Sequence, residues 1–179
     1  RGGGALIDCE SINLTGLDSR LADVTFILAS DVQNPLLGSQ GAAHVFSPQK
    51  GASPEQVELL EKSLSQFASL VGGDCADRAG AGAAGGFGFM AYAFLRATAA
   101  SGIDVILDLV DFDARSIGAN YIITGEGRFD SQSIKGKAPW GILQRAQRDG
   151  VPTFLVCGDA DTQHGSAFAG IYTLTSLES

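Results

Sequence analysis

The chain is short of positive charge. Its 179 residues carry 12 Lys and Arg against 20 Asp and Glu, which gives a formal net charge of −8. Nucleic-acid backbones and anionic membrane surfaces both attract basic protein faces. The composition therefore predicts no nucleic-acid partner and no membrane partner. An anionic ligand would have to be held by local cations and backbone N–H groups.

Cysteine and histidine are also scarce. The three cysteines, Cys9, Cys75 and Cys157, are far apart and form no CxxC pair. An odd, scattered set excludes a disulfide framework and fits the reducing environment of the cytoplasm. The only two histidines are His44 and His164, so we expect no structural zinc site.

Long, strongly apolar runs are missing as well. Residues 79–95 carry no charge, but they are mostly glycine and alanine. A membrane span needs ~20 predominantly apolar residues, so this run predicts a buried helix of small residues. The chain opens inside a glycine-rich loop without an initiator methionine, and we expect it to be a piece of something longer.

One helix has clear boundaries in the sequence. Ser53 is the predicted N-cap, Pro54 takes the first helical position and Gln56 stands where a capping box needs it. Apolar residues then recur at helical spacing until a glycine pair at 72–73. Ahead of this helix, residues 24–30 predict a short buried strand.

The second half of the chain alternates between strand and helix patterns. Residues 103–116 predict one helix. The later elements predicted are strands at 119–125, 151–158 and 170–176, and a helix at 138–149. Strand, helix and strand in succession are typical of a βαβ unit with a parallel sheet, so the fold class is α/β.

The stretch TGEGRFDSQSIKGKAP, residues 124–139, is the densest group of charges after a predicted strand. In open α/β sheets, ligands bind beyond the carboxyl ends of the strands. Residues 124–127, which include Gly125 and Glu126, lie at such an end of the predicted strand. Arg128 offers a planar fork for a carboxylate or phosphate, and Asp130 can take a proton or hold a metal.

Two lysines complete this stretch. Lys135 and Lys137 could neutralise charge on a phosphoryl group. The alternative is an ordinary surface connection in which Arg128–Asp130 and Lys–Glu pairs cancel one another. The residues alone leave both interpretations open.

A glycine run at residues 80–85 matches GxGxxG, but a dinucleotide fingerprint has to follow a strand. The polar residues 74–78 predict no strand, so a Rossmann fingerprint is disfavoured. Gly82 and Gly85 either present N–H groups to an anion or permit close helix packing.

Three further residues are candidates in the first half of the chain. Asp31 follows the predicted strand and Asn34 lies three residues later, so both are candidate ligands of Mg²⁺ or of a hydroxyl. The alternative is that they satisfy the backbone of a turn. Lys50 stands beside a glycine just ahead of the helix cap, where a cation could receive an anion.

These stretches, taken in order, resemble the bacterial type I glycerate kinase family. The resemblance rests on SDVQNPLLGSQGAAHVFSPQKGAS, GAGAAGGFGF and YIITGEGRFDSQSIKGKAP, and it covers residues 1 to about 158. It implies a cytoplasmic kinase that transfers the ATP γ-phosphoryl group to D-glycerate, giving 2-phosphoglycerate, with Mg²⁺. A homodimer is one expected assembly.

The resemblance also implies a two-domain α/β protein of roughly twice this length. One domain is Rossmann-like and built from both chain ends, and the other is inserted between them. Residues 1–117 would be part of the inserted domain and residues 118–179 part of the Rossmann-like domain. Several family motifs are absent, which leaves the activity of the 179 residues by themselves open.

The resemblance implies roles for the residues singled out above. Arg128 would grip the glycerate carboxylate or a phosphate, Lys135 would steady the transferring group, and Asp130 would orient the attacking hydroxyl or bind Mg²⁺. The remaining candidates would bind substrate or nucleotide: Asp31, Asn34, Lys50, Gly82, Gly85, Gly125, Glu126 and Lys137. Two alternatives remain, a nucleotide-dependent oxidoreductase and a non-catalytic small-molecule-binding domain.

Overall fold

The computed structural model of the chain describes residues 2–161 and 165–176. Within those residues the fold is α/β, and all strand pairs are parallel. In chain order the elements are β1 (Ile27–Ala29), α1 (Ala42–Phe46), α2 (Pro54–Val71), α3 (Phe87–Leu95), β2 (Thr98–Ala100), α4 (Gly102–Leu109), α5 (Phe112–Ser116), β3 (Ile122–Phe129), α6 (Ala138–Arg148), β4 (Thr153–Ala160) and β5 (Gly170–Thr173).

The chain divides into two compact units, Arg1–Ala100 and Ser101–Ser179. The sequence predicts a domain boundary at 117/118 instead. The earlier division has a physical reason, because Arg145 on α6 binds the carboxylates of Asp104 and Asp108 on α4. Residues 101–117 are therefore tied to the second unit. How the units correspond to the family's domains stays a prediction.

The first unit is built around the long helix α2. Its predicted N-terminus is confirmed: Ser53 Oγ accepts from Gln56 N–H, and the Gln56 side chain accepts from Ser53 N–H at 2.8 Å. The buried face of α2 packs into a core that contains Leu36, Leu64 and Phe89. The predicted strand at 24–30 is also found, as the shorter β1.

The prediction that β1 is buried is wrong. Ile27 is 54% exposed and the strand has a single neighbour, β2. Because β1 pairs with one strand only in the described part of the chain, its other edge and much of its side-chain surface are left uncovered, even though its side chains are apolar.

The second unit contains the sheet β3–β4–β5, with α6 against one face. The predicted βαβ unit is confirmed by β3, α6 and β4. Alternation along β4 directs Leu155 and Cys157 into the core with Leu143 of α6. The packing of this face against α6 fixes the ends of β3 and β4, which carry the charged residues.

The opposite face of the sheet is apolar and exposed. Tyr121, Ile123, Phe154, Val156 and Tyr172 line a shallow hollow of about 390 Å³. Tyr121 and Phe154 meet edge to face, with ring centroids 6.2 Å apart. In the described residues, aromatic and branched side chains thus cover both faces of the sheet.

The predicted end of β3 is wrong. The strand does not stop at Gly125 but continues to Phe129, so Glu126 and Gly127 lie within it. Gly125 and Gly127 are of a residue type common in loops, but β3 pairs with β4 from Ile122 to Phe129. Phe129 is fully buried, which anchors the end of the strand.

The single helix predicted at 103–116 is divided in two. Asp111 has a φ of 54°, in the left-handed region, and it separates α4 from α5. The helical spacing of apolar residues continues on both sides of Asp111. The sequence pattern therefore does not reveal the break, because one left-handed residue changes that spacing very little.

No helix in residues 2–161 and 165–176 is long and apolar enough to cross a membrane.

Candidate active site

The charged stretch after Ile123 comes together at the carboxyl end of the sheet. Lys137 Nζ lies 3.5 Å from Glu126 Oε2 and 4.0 Å from Asp130 Oδ1. Glu126 is on β3, Asp130 directly follows it, and Lys137 is the N-cap of α6. The two carboxylates and the ammonium therefore lie close together, as expected for a site at a strand end.

Asp130 is held as a carboxylate by the turn that follows it. Its Oδ1 accepts from the backbone N–H of Gln132 at 2.9 Å. This hydrogen bond lowers the pKa of Asp130, partial burial opposes the shift, and the Lys137 ammonium adds to the lowering. Asp130 is therefore ionised at neutral pH and able to accept a proton or a cation.

Glu126 is more enclosed than Asp130. Its side chain is 13% exposed, and Oε1 has no hydrogen-bond donor among the described residues. The buried thiol of Cys157 is its register partner on β4. Burial raises the pKa of Cys157, and the charges of Glu126 and Asp159 raise it further. The end of the sheet is thus locally negative around Lys137.

Arg128 lies beside Asp159, whereas the sequence suggested a pair between Arg128 and Asp130. Its Nε lies 3.9 Å from Asp159 Oδ2, and the two side chains are 71% and 58% exposed. A pair this long and this exposed contributes about 0–1 kcal/mol. Arg128 is therefore available to an anion, because little free energy holds it to Asp159.

Asp159 and Ser133 were not predicted from the sequence. Asp159 follows Gly158 at the end of a predicted strand, so the strand-end argument applied to β4 would have found it. Ser133 lies inside the charged stretch but carries no charge, and only the hydrogen bonds of the turn reveal it.

Glycine has a defined role in β3. A Cβ at Gly125 would lie 2.6 Å from the backbone oxygen of Val156, and one at Gly158 would lie 2.6 Å from that of Gly127. Neither position admits a side chain without moving the adjacent strand. Gly125 therefore lets β3 and β4 pair closely next to the charged groups.

In the first unit, the glycine run packs against the segment after β1. Gly82 N–H donates to Asn34 O at 2.9 Å, and a Cβ at Gly82 would lie 2.3 Å from Pro35 O. The side-chain amide of Asn34 donates to Gln40 O at 2.8 Å. These contacts favour the packing role of Gly82 and the turn role of Asn34, and Asp31 lies in the same segment.

Lys50 and Gly85 line the same cavity in the first unit. The cavity has a volume of about 220 Å³, and its other lining residues include the apolar side chains of Phe46, Leu60 and Leu64. The sequence predicts binding roles for both residues, and the cavity brings them together. The side chain of Lys135 is outside the part of the chain that the structure describes.

A metal could be held here only in part by the protein. Mg²⁺ is usually bound by one or two carboxylates, water and substrate phosphates rather than by a full protein cage. Asp130, ionised and with its side chain 31% exposed, fits one such ligand. Across the described ranges, no group of three or more Asp, Glu, His or Cys could hold a metal by itself.

Taken together, the parallel sheet and the charged groups at its carboxyl end define a class of protein: α/β proteins with charged side chains beyond the strand ends, the place where open α/β sheets bind ligands. Comparison with known proteins defines the family within that class. The family model described as "Glycerate kinase family" matches residues 1–179, and the chain belongs to this family.

Named relatives agree with this assignment. The chain is 41% identical to "Glycerate kinase" of Bacillus subtilis (strain 168), with 98% of this chain and 47% of the relative covered. It is 38% identical to "Glycerate 2-kinase" of Escherichia coli (strain K12), with 98% and 49% covered. The chain thus spans about half the length of the curated relatives it matches.

A solved structure gives the same result for the fold. The crystal structure named for glycerate kinase 2 of Salmonella typhimurium LT2 superposes with a TM-score of 0.83 at 38% identity. It covers 97% of this chain and 46% of that one. The fold class predicted from the sequence is confirmed.

Proposed function

We propose that the protein containing this chain is an ATP-dependent kinase that phosphorylates D-glycerate to 2-phosphoglycerate. The observation that carries the proposal is the position of Lys137 between Glu126 and Asp130 at the carboxyl end of the sheet. Membership of the glycerate kinase family supports the substrate and the reaction. A cytoplasmic location and a homodimer belong to the same proposal.

Phosphoryl transfer depends on positioning and on neutralising the charge that spreads over the phosphoryl oxygens. Lys137 supplies a positive charge whose present partners are carboxylates at 3.5 and 4.0 Å, distances that leave it free to turn toward an anion. Arg128 grips the glycerate carboxylate or a phosphate with its planar fork. Lys135 is proposed to steady the transferring group.

Asp130 takes the remaining role. As an ionised carboxylate at the end of β3, it orients the attacking hydroxyl and accepts its proton. It is also the residue that would hold Mg²⁺, which neutralises phosphate charge when bound. Glu126 keeps Lys137 in place on the opposite side.

The residues proposed in the first unit serve binding. Lys50 and Gly85, at their shared cavity, are proposed to contact nucleotide or substrate, as are Asp31, Asn34 and Gly82. A dinucleotide-dependent oxidoreductase is not favoured, because the glycine run follows the 3₁₀ helix Cys75–Asp77 rather than a strand.

The first prediction tests this assignment in the complete protein. Arg128→Ala should lower kcat/KM for glycerate by at least ~10², about 2.7 kcal/mol, because the anion loses a bidentate partner. A coupled assay of ADP release with glycerate and ATP measures it. Arg148→Ala, which removes an exposed arginine from α6, is the matched control and should leave kcat/KM unchanged.

Two outcomes would contradict the assignment. Wild-type kinetics for Arg128→Ala would remove Arg128 from the site. No glycerate-dependent ADP release from the complete wild-type protein would favour a non-catalytic binding domain.

A further inference from the structure

The turn between β3 and α6 is organised around one buried side chain, Ser133. Ser133 is fully buried although its neighbour Ser131 is exposed. Its Oγ accepts from the backbone N–H of Asp130 at 3.1 Å and donates to Arg128 O at 3.4 Å. The hydroxyl thus bridges the main chain on both sides of Phe129, at the point where the strand ends.

The backbone of Ser133 extends these connections in both directions. Its N–H donates to Asp130 O at 2.9 Å, and its carbonyl accepts from Lys137 N–H at 3.2 Å. The same carbonyl accepts from the N–H of Gly136. Ser133 is therefore hydrogen-bonded to the backbone of Arg128, Asp130 and Lys137, three charged residues of the candidate active site.

We propose that Ser133 is a positioning residue for phosphoryl transfer, whose buried hydroxyl holds Asp130 in register with Lys137. The inference rests on the proposed function. A buried serine hydroxyl needs a partner for its hydrogen, and here it satisfies one backbone donor and one backbone acceptor of the residues it positions. Loss of the hydroxyl leaves Asp130 N–H and Arg128 O without that partner.

The geometry predicts how the loss is transmitted. Asp130 Oδ1 receives its hydrogen bond from Gln132 N–H, inside the loop that Ser133 Oγ closes. When the hydroxyl is removed, this loop relaxes and Gln132 N–H no longer faces the carboxylate. The Asp130 carboxylate then loses its fixed direction relative to Lys137, whose Nζ lies 4.0 Å from Oδ1.

The experiment compares Ser133→Ala, Ser133→Cys and Ser133→Thr with the matched control Ser131→Ala, all in the complete protein. We expect Ser133→Ala to lower kcat/KM for glycerate by about tenfold, and we expect the loss to fall on kcat rather than on KM. Ser133→Cys, which nearly keeps the volume but bonds weakly, should behave in the same way. Ser133→Thr retains the hydroxyl and should restore wild-type kinetics, and Ser131→Ala should not depart from them.

A second measurement does not depend on activity. At neutral pH, the NMR chemical shifts of the Asp130 carboxyl carbon and of the Gln132 amide should move in Ser133→Ala but not in Ser131→Ala, because the hydrogen bond between the two groups is loosened. A melting temperature that falls while these shifts and kcat stay unchanged would overturn the proposal, since the hydroxyl would then be purely structural. If Ser133→Ala does not fold, Ser133→Cys decides: wild-type behaviour of that variant overturns the proposal.

The proposed function and the positioning role of Ser133 can fail separately. If the wild-type protein releases no ADP with glycerate, the proposed function fails, and the NMR chemical shifts still test the link between Ser133 and Asp130. If the wild type is active and neither kcat nor the chemical shifts change when the hydroxyl is removed, only the positioning role fails.

Discussion

Arg145 is the most enclosed charge in the described part of the second unit. Its side chain is 9% exposed and contacts three carboxylates, those of Asp104, Asp108 and Asp113. The hydrogen bond with Asp108 is the main cause that raises the pKa of Arg145, and its own burial opposes the rise. One cation thereby ties α4 and α5 to α6.

Removing this cation should destabilise the chain. We expect Arg145→Met to lower the free energy of unfolding by about 2 kcal/mol, because charge-assisted hydrogen bonds are lost while three carboxylates remain close together. Arg148→Met, on the exposed side of the same helix, should change it by less than about 0.5 kcal/mol. Denaturant titration of the two variants measures the difference, and equal values would show that Arg145 is not a structural tie.

Asp130 should leave a signature in the pH dependence of stability. Folding lowers its pKa below the ordinary 3.8, so its contribution is present above that pH and is lost as the pH falls through the lowered value. Wild type should therefore be more stable than Asp130→Asn at neutral pH, and the difference should shrink below pH 3.8.

Unfolding curves at several pH values check this, with Asp149→Asn as a control for the removal of one exposed negative charge. A difference between wild type and Asp130→Asn that does not change with pH would show that the Gln132 hydrogen bond does not favour the charged carboxylate.

At the scale of elements, β3 shows which features of the sequence are informative. The capping box of α2 and the parallel βαβ unit were predictable, because each rests on local chemistry or on a repeating apolar pattern. The extension of β3 beyond Gly125 was not predictable. Its cause is the pairing with β4, a contact between residues far apart in the sequence that overrides the local preference of glycine.

The candidate site was predictable to a similar extent. Charge density marked Glu126, Asp130 and Lys137, and the structure brings these three together. Asp159 as the partner of Arg128 depends on strand register, and the burial of Ser133 depends on the turn. Neither can be read from composition or spacing.

Two glycines of β3 offer a matched test of strand packing. Gly125→Ala should cost about 2 kcal/mol, because its Cβ would lie 2.6 Å from Val156 O and the strands would have to separate. Gly127→Ala meets nothing within 4 Å and should be tolerated much better. Thermal and chemical unfolding compare them, and an equal loss in both variants would mean that general strand propensity, not the close approach, decides.

At the scale of the whole molecule, the exposed apolar face of the β3–β4–β5 sheet sets the behaviour of the chain in solution. Contiguous apolar surface of this kind binds other apolar groups. We expect the 179-residue chain to enhance the fluorescence of a dye such as ANS, and the double variant Ile123→Thr, Tyr172→Thr to reduce the enhancement.

The control changes apolar residues that are exposed elsewhere in the second unit. Leu109→Thr combined with Ile117→Thr removes side chains that are 76% and 75% exposed but do not line the hollow. If this control reduces dye binding as much as the sheet variant, the hollow is not the binding surface.

The enclosed contacts of Arg145 have a consequence for the response of the chain to ionic strength. Dissolved ions screen exposed charges within about 10 Å at 0.1 M salt, but they reach an enclosed pair far less. With a net charge of −8, the chain repels itself at its surface, and salt relieves that repulsion. Moderate salt therefore removes more repulsion than attraction from this chain, and we expect its free energy of unfolding to rise as salt is added.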